Sequence, residues 1–169
     1  EIRAAVEAGA ELVLSVNSTN IDVARDLAGS PARVVVVPDL GGPLDTLDRS
    51  IELLDAWGVP YLLDPILEPI GFGFTASLER YAETRRRYPD AEMLMGVGNL
   101  TELTAADSTG VNAMLIAVCQ ELGIRTVLTT EVIPWAKGSV REIDVARQLM
   151  HYAVAHKTIP KGVDDRLVT

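Results

Sequence analysis

Amides and carboxylates stand in this chain where short apolar runs stop, which is how a polar rim is written. Asn17-Ser18-Thr19-Asn20 follows the run Glu11–Val16, Pro38-Asp39 closes Arg33–Pro38, and Asp64-Pro65 follows Val59–Leu63. Gly98-Asn99 follows Glu92–Val97, and Thr129-Thr130-Glu131 ends the run Ile124–Thr129. Asp64 is the sharpest of these residues. An aspartate behind an apolar run, with Pro65 stopping the ladder at once, is partly buried and must find donors. Loop amides can supply them, and so can a ligand. An ionised carboxylate accepts two parallel N–H bonds, the match for a guanidine-like edge. Asn17 has two readings as well, as a ligand-binding amide or as part of a helix start capped by Ser18, Thr19 or Asn20. The glycines of Gly96-Val97-Gly98-Asn99 leave room for a close backbone approach at Asn99, although Gly and Asn also build plain turns.

Other polar features carry less chemistry. Gly71-Phe72-Gly73-Phe74 precedes a helical pattern and resembles a phosphate cradle, but it lacks the third glycine and the lysine. His151 and His156 lie on or beside the last helix, as surface or packing residues. Neither has a carboxylate at metal-ligand spacing, so no metal site is expected. Cys119 sits on an apolar helix face and reads as buried rather than nucleophilic. Arg85-Arg86-Arg87 ends a helix, where positive charge complements the macrodipole.

The elements that must position the rim alternate between strand and helix. The five apolar runs are mostly continuous rather than alternating, which suits strands buried on both faces. Between them, Ile21, Ala24 and Leu27 share one face with Gly29 as a stop, and Leu47, Ile51 and Leu54 share another before Gly58. Leu78 and Tyr81 repeat the pattern before Pro89. Val111, Met114, Leu115, Val118 and Leu122 do so before Gly123. Ser139 with Glu142 spells a capping box, followed by a stripe of Ile143, Ala146, Met150 and Ala153. This order predicts an α/β fold with a parallel sheet and right-handed crossovers, either an open sheet or five-eighths of a barrel. In both, ligands bind at the carboxyl ends of the strands. The tail Lys157–Thr169 reads as an irregular or separately docked end.

Composition narrows the function classes. The 169 residues are 48% hydrophobic and 23% charged, enough for a core and too apolar for disorder. A net charge of −9 argues against non-specific nucleic-acid and anionic-membrane binding. One cysteine rules out an internal disulfide and fits a cytoplasmic location. No apolar run reaches the length of a membrane span, and Glu1-Ile2-Arg3 does not begin a signal peptide. With no initiator Met, the chain reads as a segment of something longer.

The ordered set of rim segments resembles the pterin-binding family of dihydropteroate synthases and methyltetrahydrofolate–corrinoid methyltransferases. The segments are Asn17-Ser18-Thr19-Asn20, Asp64-Pro65-Ile66-Leu67-Glu68-Pro69, Gly96-Val97-Gly98-Asn99 and Val111-Asn112. Asp64-Pro65 and Gly71-Phe72-Gly73-Phe74 echo a synthase segment, with an insertion. Including the ending Pro160-Lys161-Gly162-Val163-Asp164-Asp165-Arg166-Leu167, the chain is most similar to the dihydropteroate synthase-like proteins of organisms that use tetrahydromethanopterin.

The resemblance implies a TIM (β/α) barrel of which residues 1–169 hold only about the last five β/α units. The first strands would then come from an upstream segment or from a homo-oligomer partner. It implies a reduced pterin as substrate or ligand, with Asp64 holding the 2-amino and N3–H edge and Asn17 completing the grip. Asn99 is expected beside the reactive ring, and Asn112 and Glu131 are further pterin-binding candidates. Asp39 is a lesser rim candidate. The expected activity is that of a transferase in folate or tetrahydromethanopterin-type cofactor biosynthesis, with Mg²⁺ accompanying a diphosphate. Three departures are visible. Gly98-Asn99-Leu100 stands where the synthases carry Ser-Arg-Lys, and Thr129-Thr130-Glu131 where they carry Arg-x-His. Asp107-Ser108-Thr109-Gly110 likewise lacks the methyltransferase arginine. A non-catalytic module that binds a pterin or a protein partner is therefore an alternative, and a corrinoid methyltransferase another.

Overall fold

Short, strongly apolar runs form the strands here. A computed structural model describes residues 2–168, and Glu1 and Thr169 lie outside the described residues. The protein is a mixed α/β chain whose helices and strands alternate as the sequence predicts. The described residues fall into two compact units. One comprises the chain up to Ile66 with Arg80–Leu94; the other comprises Leu67–Glu79 with the chain from Met95 onward. Their sheets are separate, one of three strands and one of two, and no closed barrel forms among the described residues.

In the first unit, helix α1 (Ile2–Glu7) precedes β1 (Leu12–Val16), β2 (Arg33–Val36) and β3 (Tyr61–Leu63). The strands lie in chain order and pair in parallel, with Val13 opposite Val34 and Val36 opposite Leu63. Central β2 buries Val34, Val35 and Val36 completely, as its unbroken apolar run requires. β1 pairs on one side only among the described residues, and Leu14 is half exposed. Beyond β3, Leu63 donates its amide to the Glu92 carbonyl at 2.9 Å and forms an isolated parallel bridge with Met93.

The crossovers follow their apolar spacing. Ile21, Ala24 and Leu27 are all buried, but their segment Ile21–Leu27 is a 3₁₀ helix. Their repeat of three residues matches a turn of three rather than 3.6. Helix α2 (Asp45–Trp57) buries Leu47, Ile51 and Leu54 and ends on Gly58 at φ 64°, the left-handed stop its glycine allows. Helix α3 (Phe74–Arg87) contributes Tyr81, fully buried. At its end, the Arg85 guanidinium donates to the carbonyls of Tyr88, Pro89 and Ala91, while Arg87 pairs with Glu83, Asp45 and Asp48. The basic run is thus a set of internal ties.

In the second unit, β4 (Leu94–Gly96) pairs with β5 (Thr126–Leu128), and Val97 donates to the Leu128 carbonyl at 2.9 Å. The short α4 (Gly98–Thr101) follows β4, then α5 (Ser108–Glu121). After β5 a single 3₁₀ turn at Pro134–Ala136 leads to α6 (Ser139–His156). α5 buries Asn112, Leu115, Ile116 and Cys119. Met114, expected in the buried stripe, is 68% exposed. The helix is apolar on nearly every side, so its pattern does not select one face. α6 buries Ile143, Ala146 and Ala153 as its stripe predicts, with Val145 and Leu149 added. Lys157 to Val168 is irregular.

The expected capping box at α6 does not form. Gly138 is the N-cap at φ 96°, and the Ser139 hydroxyl is buried without a partner among the described residues. The Glu131 carboxylate accepts the Val140 amide at 2.8 Å and caps the helix from the preceding loop. Glu142 is drawn elsewhere. No described helix is long and apolar enough to cross a membrane.

Candidate functional site

The carboxyl ends of β1, β2 and β3 lie on one edge of the first unit's parallel sheet, and they carry Asn17, Asp39 and Asp64. Each is tied by its own loop. The Asn17 Oδ1 accepts the Thr19 amide at 3.0 Å and the Thr19 hydroxyl at 2.6 Å, while its main-chain amide donates to Asn20 Oδ1. Its Nδ2 makes no hydrogen bond among the described residues. Asn20 stands at the cap position, but no side-chain cap bond forms there. Asp39 takes the Ser18 amide and hydroxyl on its two oxygens, at 3.1 and 2.6 Å. It is largely spent on holding the loop.

Asp64 is built more deeply. Its Oδ1 accepts the Tyr81 hydroxyl at 2.6 Å and the Ile66 amide at 2.9 Å. Its Oδ2 accepts no bond among the described residues. Burial raises the carboxyl pKa above its ordinary value, opposed by the Tyr81 hydroxyl, the Ile66 amide and the nearby Arg80 charge. The loop behind it is strained, because Ile66 sits at φ 68°, where a β-branched side chain is strongly disfavoured. Arg80 clamps that loop by donating to the carbonyls of Pro65 and Ile66 at 2.6 and 2.7 Å. The expectation that Asp64 is half-buried and finds loop donors holds. One of its oxygens is nonetheless left over.

The second unit has its own cleft, of about 200 Å³, where the loop after β4 faces the end of β5. Gly98, Asn99, Glu102, Thr129 and Thr130 are among its walls. Asn99 donates Nδ2 to the Leu67 carbonyl at 2.9 Å, and its side-chain oxygen accepts nothing among the described residues. Glu102, which the sequence reading did not single out, accepts the Thr130 hydroxyl and the Val132 amide on Oε1. Its position three residues after Asn99, on the same helical turn, was a usable signal. The Thr129 hydroxyl is buried and has no partner among the described residues.

Asn112 and Glu131 are both engaged by helix α6. Asn112 is fully buried between α5 and α6 and donates Nδ2 to Glu142 Oε2 at 2.8 Å, leaving its Oδ1 unpartnered. Glu142 also accepts the hydroxyls of Ser108 and Thr109, at 2.7 and 2.9 Å. Glu131 is the helix cap described above. Neither residue lines the cleft at Asn99. His151 and His156 are exposed, with His156 stacked on Tyr152. Cys119 is buried, and burial pushes its thiol up to about 12. Among the described residues no group of three His, Cys, Asp or Glu side chains is placed to hold a metal ion.

Fold and site together define an α/β protein with parallel strands and amide–carboxylate groups at the strand ends. No family model matches the chain. A curated relative, an uncharacterized protein of Methanocaldococcus jannaschii, is 34% identical over 183 aligned residues, which takes in 99% of this chain. The chain spans 35% of that relative's length.

Proposed function

We propose that the chain is the pterin-binding part of a (β/α) barrel, carrying about its last five units, and that it serves a transferase resembling dihydropteroate synthase. The observation that carries this reading is the half-spent carboxylate of Asp64. One oxygen holds the loop through Tyr81 and Ile66, and the other is left to accept an N–H. Asn17 supplies the reverse polarity, since its oxygen is taken by Thr19 and its Nδ2 is left to donate. The two residues follow strands separated by β2, so their backbones are two strand spacings apart, roughly 10 Å. A flat bicyclic ring with a hydrogen bond at each end spans that gap. Chain-ordered, parallel strands support the barrel part of the reading.

A binding module without turnover is the second reading. Its support is the absence of any basic side chain at Gly98-Asn99-Leu100 and Thr129-Thr130-Glu131. Calorimetry with a dihydropterin, on the chain and on Asp64→Asn, tests the common core of both. The expected loss in the variant is about 2 kcal/mol, the scale of a hydrogen bond to a charged group. Equal affinity in a folded variant would remove Asp64 from the site. Turnover of the pterin diphosphate with an aryl amine then separates transferase from module.

A further inference from the structure

The cleft between the β4–α4 loop and the end of β5 has a one-sided charge. Glu102 is the sole ionisable residue among its walls, and no lysine, arginine or histidine joins it. The Glu102 Oε1 is occupied by Thr130 and Val132, while its Oε2 accepts nothing among the described residues. Asn99 has given one N–H of its Nδ2 to Leu67, and its Oδ1 is left as an acceptor beside the second N–H. The Thr129 hydroxyl, buried and without a partner among the described residues, can donate or accept. A small cleft with one carboxylate and no cation attracts N–H-rich or cationic groups and repels anions.

We infer that this cleft is a subsite for an amine-, amidine- or guanidine-type group, recognised by Glu102 and Asn99, and that it excludes carboxylates and phosphates. The inference goes beyond the pterin reading: Glu102 has no part in that reading, and Asn99 is the one residue common to both. A volume of about 200 Å³ suits the head of a ligand rather than the whole of one. Glu102 acts here by recognition: the bonds from Thr130 and Val132 fix its orientation and turn its open oxygen to the ligand.

Two probes of the same shape and opposite polarity test this, benzamidine and benzoate, titrated into the isotope-labelled chain and followed by amide NMR. Benzamidine is expected to give saturable shifts at Asn99, Glu102 and Thr130, and benzoate none at equal concentration. Glu102→Gln keeps an oxygen for Thr130 and Val132 but removes the charge, and it should raise the benzamidine Kd at least tenfold. Glu102→Asp keeps the charge and should keep the preference for benzamidine over benzoate, which covers the case of a poorly folded Gln variant. The inference is overturned by benzoate saturating at these residues as readily as benzamidine. It is equally overturned by benzamidine shifts confined to other residues, or by a folded Glu102→Gln that binds like the parent. Failure of the pterin reading is seen separately, in the calorimetry of Asp64→Asn.

Discussion

The strand ends of the first unit and those of the second use similar residues in opposite ways. In the first, most polar atoms hold the loops: Ser18 fills Asp39, Thr19 fills the Asn17 oxygen, and Tyr81 with Ile66 fills one side of Asp64. One acceptor on Asp64 and one donor on Asn17 are left. In the second, two of the carboxylates are drawn into helix packing, Glu131 onto the α6 amide and Glu142 onto α5. Glu102 and Asn99 stay beside an open cleft with acceptors to spare. The difference teaches that a polar rim is judged by the lone pairs and protons the fold does not consume. Counting its carboxylates says little.

The largest expected effect tests the structural side of that comparison. Glu142 is the shared acceptor for Ser108, Thr109 and Asn112, and Ser108 and Asn112 are buried. Glu142→Ala strands those donors, and Asn112 already has an unpartnered oxygen. A loss of about 3 kcal/mol in unfolding free energy is expected from buried groups left unsatisfied. Urea midpoints measure it. A loss below about 0.5 kcal/mol, the range of an ordinary surface change, would mean that Glu142 does not hold α5 and α6 together.

Next in size is Tyr81→Phe, which removes the hydroxyl from Asp64 and leaves the ring in place. About 2 kcal/mol of stability should go with it, the value of a bond to a charged group. The pH dependence sharpens the test. Burial raises the folded-state pKa of Asp64 above its unfolded value, so the neutral carboxyl favours folding. That contribution is full below the unfolded pKa and is lost as pH rises through the folded one. The Tyr81 bond pulls the folded pKa down, so its removal should move the window of loss to higher pH. Denaturation across the acid range, parent against variant, reads this shift. Parallel curves would mean that Tyr81 does not govern the Asp64 proton.

Much of the scaffold was legible in the sequence because apolar runs and their stops are local. The expected runs at Glu11–Val16 and Arg33–Pro38 contain β1 and β2, and the 21, 24, 27 spacing already had the period of the 3₁₀ turn. Competition between distant groups was not legible. Ser139 and Glu142 spell a capping box, yet three donors from α5 outbid the local amide for the glutamate. The same holds at the site. The burial of Asp64 could be read from the residues before it, whereas its main partner Tyr81 lies 17 residues away on a helix whose stripe announced only packing. Glu102 stands outside the Gly96-Val97-Gly98-Asn99 segment, and only its partners Thr130 and Val132, about thirty residues on, mark it.

The smallest expected effect decides what the first unit's rim is for. Asn17 both builds its loop, through the oxygen that accepts from Thr19, and offers Nδ2 outward. Asn17→Asp separates the two roles, since it keeps an oxygen for Thr19 and deletes the outward donor. Stability should stay within about 0.5 kcal/mol, as for most exposed substitutions. Dihydropterin affinity should fall by about 1 kcal/mol, one ordinary hydrogen bond, or roughly fivefold. Asn17→Ala gives the complementary result, because it loses the loop bonds and the donor together and should cost both. If Asp and Ala weaken binding only as far as they loosen the loop, the amide is scaffold. The rim of the first unit would then present Asp64 alone, and one acceptor cannot orient a bicyclic ring.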